Sequence, residues 1–341
     1  MKNIIKALVV ALLPIALAFS AYAGNDKVKV GFIYVGPVGD HGWTYMHDQG
    51  RLAVVEEFGD KVETSWVENV PEGPDAERVM RQMALSGTDI IFATSFGYME
   101  AMLKVAKDFP NVKFEHATGY KTAPNMSIYS SKFYEGRYVQ GVIAGHMSKA
   151  GKAGYIGSFP IPEVVRGINA FYLGATSVNP DFDIDVVWVN TWYDPGKESD
   201  AAKVLIQQGA DIITQHTDST APLQVAQAEG ILGFGQASDM HHFAPDSQMT
   251  AIIDDWGPYY VARVQAVIDG SWEMTDTWGG MDTGMVKMAP MTNMPDELAE
   301  LANNLMSQIT HGELDIFPGK SIGDLLGMNQ YVDGIDAFLP K

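Results

Sequence analysis

The chain of 341 residues has no cysteine. That removes disulfides, thiolate metal ligands, cysteine nucleophiles and the lipidated cysteine that would tether an exported protein to a membrane. Basic residues are scarce as well: 23 Lys and Arg stand against 42 Asp and Glu, a formal net charge of −19. Nucleic acid and anionic lipid are poor partners for such a surface, because phosphate recognition needs clustered cations. Catalytic signatures are missing too. The sequence contains no DxDxxxDD run, no Gly-x-Ser-x-Gly elbow, no Walker loop and no HExxH, which leaves little room for a hydrolase, a phosphorylase or a metalloenzyme.

One long apolar run does occur, at the very start. MKNIIKALVVALLPIALAFSAYA carries lysines at positions 2 and 6, an apolar stretch from Ala7 to Phe19 and Ala-Tyr-Ala before Gly24, the pattern of a secretory leader over residues 1–23. Its removal makes the mature chain two units more negative. No later stretch reaches the ~18 consecutive apolar residues of a spanning helix. The expectation is a periplasmic protein, free of lipid and monomeric.

Beyond the leader the chain alternates regularly. Strand-like runs at 29–35, 62–69, 89–95, 113–118 and 126–131 are separated by helical stretches, and the rhythm restarts at 153–158, 184–190, 211–217 and 231–238. Strands alternating with helices of this length specify parallel sheets covered on both faces. The fold class expected is therefore α/β, with two doubly wound parallel-sheet lobes joined by several crossovers. The first lobe is assigned residues 24–130 plus 250–285, and the second 131–249 plus 286–341.

Ligands of open parallel sheets lie beyond the carboxyl ends of the strands. The segments at those ends include GDHGWTYMHDQGR (39–51), ENVPEG (68–73), TSFGY (94–98), NTWYDPGKE (190–198), QHTDST (215–220), GQASDM (235–240) and DDWGPYY (254–260). Tryptophan and tyrosine recur there beside carboxylates, hydroxyls and amides, away from where core filling would put them. Trp43 could still fold back to cap a core.

These segments, with FEHATGYKT (114–122) and FYEGRYVQGVIAG (133–145), resemble the basic membrane protein family of ABC-transporter substrate-binding proteins, the purine nucleoside receptor-like group with a type I periplasmic binding fold. The resemblance runs from Lys29 to about Pro290. It implies a receptor that closes two lobes over a purine, as free base or nucleoside, and hands it to an inner-membrane permease without any cofactor. Trp43 matches the aromatic that nucleoside-binding members place against the base. Phe96, Tyr98 or Trp192 would supply a further wall, and a flat, donor- and acceptor-edged purine suits such rings.

For the edge, Asp218 and Asp239 are the acceptors best placed, although Asp218 could cap the helix after it and Asp239 could close a turn. Asp254 and Trp256 lie at a crossover where hinge and site coincide. His47, one helical turn after Trp43, would reach the ligand if the helix starts early. No metal is expected, since His241 and His242 are adjacent and point apart. Two other classes share the residues: a periplasmic purine nucleoside hydrolase or phosphorylase, and a sensory receptor for another small aromatic solute.

Overall fold

The computed structural model describes residues 27–340, so the leader assigned to residues 1–23 lies outside the described residues. The first lobe begins β1 (Val28–Ile33), α1 (Trp43–Phe58), β2 (Val62–Val67), α2 (Pro74–Leu85), β3 (Ile90–Ala93), α3 (Met99–Asp108), β4 (Lys113–Ala117) and β5 (Met126–Ser131). The second follows as α4 (Phe133–Met147), β6 (Lys152–Gly157), α5 (Pro162–Thr176), β7 (Asp183–Trp188), α6 (Pro195–Gln207), β8 (Ile212–His216), α7 (Ala221–Ala228), β9 (Leu232–Gly235) and β10 (Gln248–Asp254). The remaining elements are α8 (Gly257–Ile268), β11 (Asp276–Gly279), β12 (Val286–Met288), α9 (Asp296–Thr310) and α10 (Ile322–Leu326).

Local chemistry explains these boundaries. α2 buries Ala76, Val79, Met80 and Met83 at helical spacing, and a proline pre-set for the first turn opens α2, α5 and α6. Asp194 caps α6, accepting the Lys197 backbone N–H at 3.1 Å. The central strands β3 and β8 are buried along their whole length, as a sheet covered on both faces requires. In the first lobe Phe32 and Phe92 pack toward α1 and α8, whereas Ile33, Ile91 and Ala93 pack toward α2 and α3. That is the period of two of a pleated strand.

The two sheets run β2-β1-β3-β4-β5-β11 and β7-β6-β8-β9-β10-β12. Among the described strands all pairings are parallel except β10 with β12. Strand order reverses between β1 and β3, and again between β6 and β8, so each lobe has its own switch point. The chain passes between lobes after β5, after β10 and after β11. Here the structure differs from the boundary expected at 250 and agrees with the one at 285. β10 pairs with β9 in the second sheet, and only α8 and β11 return to the first lobe, because TAIID is a buried strand whose partner is not visible in its own letters. The tail packs on the second lobe through Leu298, Ala302, Ile309, Phe317 and Leu325. Among the described residues no helix is long and apolar enough to cross a membrane.

Candidate functional site

The loop leaving β1 turns back through His41, in left-handed backbone conformation at φ 61°, and delivers the chain to α1. Asp40 caps that helix. Its carboxylate accepts the backbone N–H groups of Gly42 (2.8 Å), Tyr45 (2.9 Å) and Thr44 (3.0 Å). Those bonds favour the ionised form, yet burial outweighs them and pushes the Asp40 carboxyl up to about 6.

Trp43 opens α1, its indole N–H donating to the Thr94 carbonyl at 2.6 Å. Behind it stands an aromatic stack. His47 lies edge-on to Trp43 at 4.3 Å and parallel to Trp256 at 4.6 Å, with its Nδ1 hydrogen-bonded to the Tyr260 hydroxyl at 2.5 Å. Burial holds the His47 imidazole well below its ordinary range, so the neutral ring is favoured.

A cavity with about 340 Å³ of empty space, part of it open to solvent, lies in front of Trp43. Val35, Trp43, Ser95, Phe96 and Thr118 line it from the first lobe, and Glu163, Trp192, His216, Asp218 and Gln236 from the second. These positions follow β1, β3, β4, β6, β7, β8 and β9, so the switch points of the two sheets face one another across a single cavity. Lysine and arginine are absent from its lining. A phosphorylated ligand would meet acids with no compensating cation.

The lobes touch around the cavity. Trp192 Nε1 donates to Glu72 Oε1 of the first lobe at 3.3 Å, and Glu72 also accepts the Ser95 hydroxyl at 2.5 Å and the Gly97 N–H at 3.1 Å. The Ser238 hydroxyl donates to the His41 carbonyl. Asp218 is held at its backbone by Trp192, whose carbonyl accepts the Asp218 N–H at 3.0 Å. Its Oδ2 is buried without a hydrogen-bond partner. Burial, and then repulsion from Asp40, Glu198 and Asp254, push this carboxyl well above the ordinary carboxylate range.

Deeper in the second lobe Arg137 is fully buried and donates to Gln140 (3.0 Å), Thr214 (3.2 Å), the Gln215 carbonyl (2.6 Å) and Gln236 Oε1. It fixes Gln236 at the cavity wall. His216 Nε2 stands 3.5 Å from Glu163 Oε1. Burial lowers the imidazole's pKa, while the Glu163 carboxylate beside it pulls the other way.

Of the residues singled out in the sequence, Trp43, Phe96, Trp192 and Asp218 meet at this cavity. The others do not line it. Tyr98 is buried in the core under β3, its hydroxyl donating to the Val70 carbonyl at 2.6 Å. His47 and Trp256 form the layer behind Trp43, so both are support rather than wall. Asp239 is exposed and closes a turn, accepting the His241 N–H at 3.0 Å and the Gln248 amide at 2.7 Å. Asp254 is fully buried at the end of β10, and both its oxygens lack partners. Glu163, His216 and Gln236 were not anticipated. Glu163 follows a proline in a helix start and His216 ends an apolar strand, so local pattern absorbed them both.

This geometry is that of a two-lobed binding protein. Residues 27–321 match the family model described as ABC transporter substrate-binding protein, PnrA-like, and the chain belongs to that family. It is a substrate-binding protein rather than an enzyme. Proteins of this kind bind small molecules and work with a membrane permease. The chain is 61% identical to a purine-binding protein of Brucella abortus over 93% of its own length and 95% of that protein's. It is 38% identical to a putative ABC transporter glucose-binding protein of Haloferax volcanii, over 93% of this chain and 82% of that one. Among solved structures, an ABC transporter solute-binding protein of Aeropyrum pernix superposes with a TM-score of 0.74 at 19% identity, covering 89% of this chain and 98% of that one. One from Conexibacter woesei gives 0.69 at 23%, covering 85% and 98%. These two likenesses establish the type I periplasmic binding fold.

Proposed function

We propose that the protein captures a purine between its lobes in the periplasm and delivers it, as a monomer, to the permease of an ABC importer. The observation that carries this reading is the cavity itself: tryptophans of opposite lobes, Trp43 and Trp192, reach one space in which a buried carboxyl, Asp218, keeps an unpartnered oxygen. Rings offer faces for a flat π system, and the carboxyl offers an edge contact. The name of the Brucella abortus relative points the same way.

The captured purine is a free base such as adenine, or a nucleoside. Each lobe supplies part of the wall, so a ligand touching both stabilises the closed arrangement by its differential affinity. Export rests on the leader-like residues 1–23, and freedom from a lipid anchor on the missing cysteine. The test is mass spectrometry of small molecules released by denaturing the freshly purified protein. A purine is expected; a hexose, matching the name of the Haloferax volcanii relative, would overturn the ligand assignment.

A further inference from the structure

We propose that Asp218 meets its purine as a neutral carboxylic acid, offering one O–H donor and one carbonyl acceptor, so that the site selects an adenine-type edge over guanine's two adjacent N–H donors. This inference rests on the purine reading and adds the chemistry of selection.

The geometry behind it is a carboxyl in a crowd of carboxyls. Asp218 follows β8, is 3% exposed and lines the cavity. Asp40, ahead of α1, faces it from the opposite lobe; Glu198 of α6, Asp254 at the end of β10 and Tyr193 face it from its own lobe. Glu163 of α5 lines the same cavity. The positive partners are few. The Trp43 backbone N–H at the start of α1 reaches the Asp218 carboxyl, while Arg137 of α4 is committed to four acceptors elsewhere. The neighbouring imidazoles, His47 and His216, are pushed toward the neutral form by burial.

Closing the lobes brings Asp40 and Asp218 together in a space without a lysine or arginine on its wall, and like charges sharing a dry site cannot all stay ionised. The direction of the Asp218 shift, upward, agrees with that geometry. Neutral, the side chain has the donor and acceptor pair of an asparagine amide, the group that engages the N6 amine and a ring nitrogen of adenine bidentately. Ionised, it only accepts, which fits the N1–H and N2–H donors of guanine.

The test is calorimetric titration of wild type, Asp218→Asn and Asp218→Ala with adenine and guanine from about pH 5 to about pH 9. Other carboxyls titrate in the same range, but they act on both ligands, so the contrast between the two bases isolates Asp218. The expected result is adenine affinity that falls by up to about tenfold per pH unit above the transition, while guanine affinity holds or rises. Asp218→Asn, which imitates the neutral acid, should keep adenine binding within about threefold and flatten its pH dependence, whereas Asp218→Ala should weaken adenine by about tenfold or more. Parallel pH slopes for the two bases, or equal loss of adenine in Asn and Ala variants of unchanged thermal midpoint, would overturn the proposal with purine binding intact. Binding of neither base by wild type would overturn the purine reading and this inference together.

Discussion

The indole N–H of Trp43 donates to the carbonyl oxygen of Thr94 at 2.6 Å, which ties the first turn of α1 to the carboxyl end of β3. With His47 and Trp256 edge-on behind it, the ring is fixed before any ligand arrives. Trp43→Ala should weaken purine binding by about 1–3 kcal/mol, the value of one base-aromatic stack. Trp43→Phe keeps a smaller aromatic face and loses the N–H, so its loss should be clearly smaller than that of Trp43→Ala. Calorimetry on both variants, with thermal midpoints as a folding control, checks this; equal losses would show that the ring face contributes nothing.

Gly42 sits where the lobes approach closely. A Cβ there would stand 2.3 Å from the Asp218 carbonyl oxygen of the opposite lobe. Gly42→Ala should block closure while leaving each lobe folded, and weaken binding by about tenfold or more, ~1.4 kcal/mol. Gly39→Ala is the control, since nothing lies within 4 Å of its Cβ position. Small-angle scattering with and without ligand should show compaction in wild type and Gly39→Ala only.

Asp239 closes an exposed turn away from the cavity. Asp239→Ala should therefore bind purine as wild type does and lose no more than about 1 kcal/mol of stability. A tenfold weaker affinity in titration would return Asp239 to the site.

The contribution of the buried carboxyls to stability should rise toward acid. Burial pushes Glu135 up to about 7, against the Met281 N–H and Lys132, and Asp40 up to about 6. A carboxyl whose folded pKa exceeds its unfolded one binds its proton more tightly when folded, so its contribution is present in acid and lost as pH climbs from the ordinary carboxylate range through about 7. Buried histidines with lowered pKa (His47, His116, His216) oppose this trend in the wild type, so the clean comparison is Glu135→Gln against wild type, which should stabilise the protein by about 1–3 kcal/mol at about pH 8 and by less at about pH 5.5 in denaturant midpoints. A gain from Glu135→Gln that does not grow with pH would contradict the assignment.

The sheets were legible because buried parallel strands are short apolar runs closed by glycine, proline and aspartate, and the strand-end rule then located the cleft. Direction was not legible. Trp43 and Trp256 both follow strands with similar neighbours, yet one lines the cavity and the other backs it, a choice made by helix packing between α1 and α8 that no local spacing encodes. Tyr98 misleads for the same reason: two residues after Phe96, it turns under the sheet. Glu163 and His216 gain their meaning only when β6 and β8 lie side by side, as sequence-distant partners across a switch point.

The most direct measurement is a titration of the purified wild-type protein with adenine, adenosine and glucose, followed by calorimetry at several temperatures. A purine closed between the aromatic walls of two lobes predicts one site per chain, a negative heat-capacity change, saturable binding of at least one of the two purines, and no heat from glucose. Saturable binding of glucose with none of either purine would contradict it.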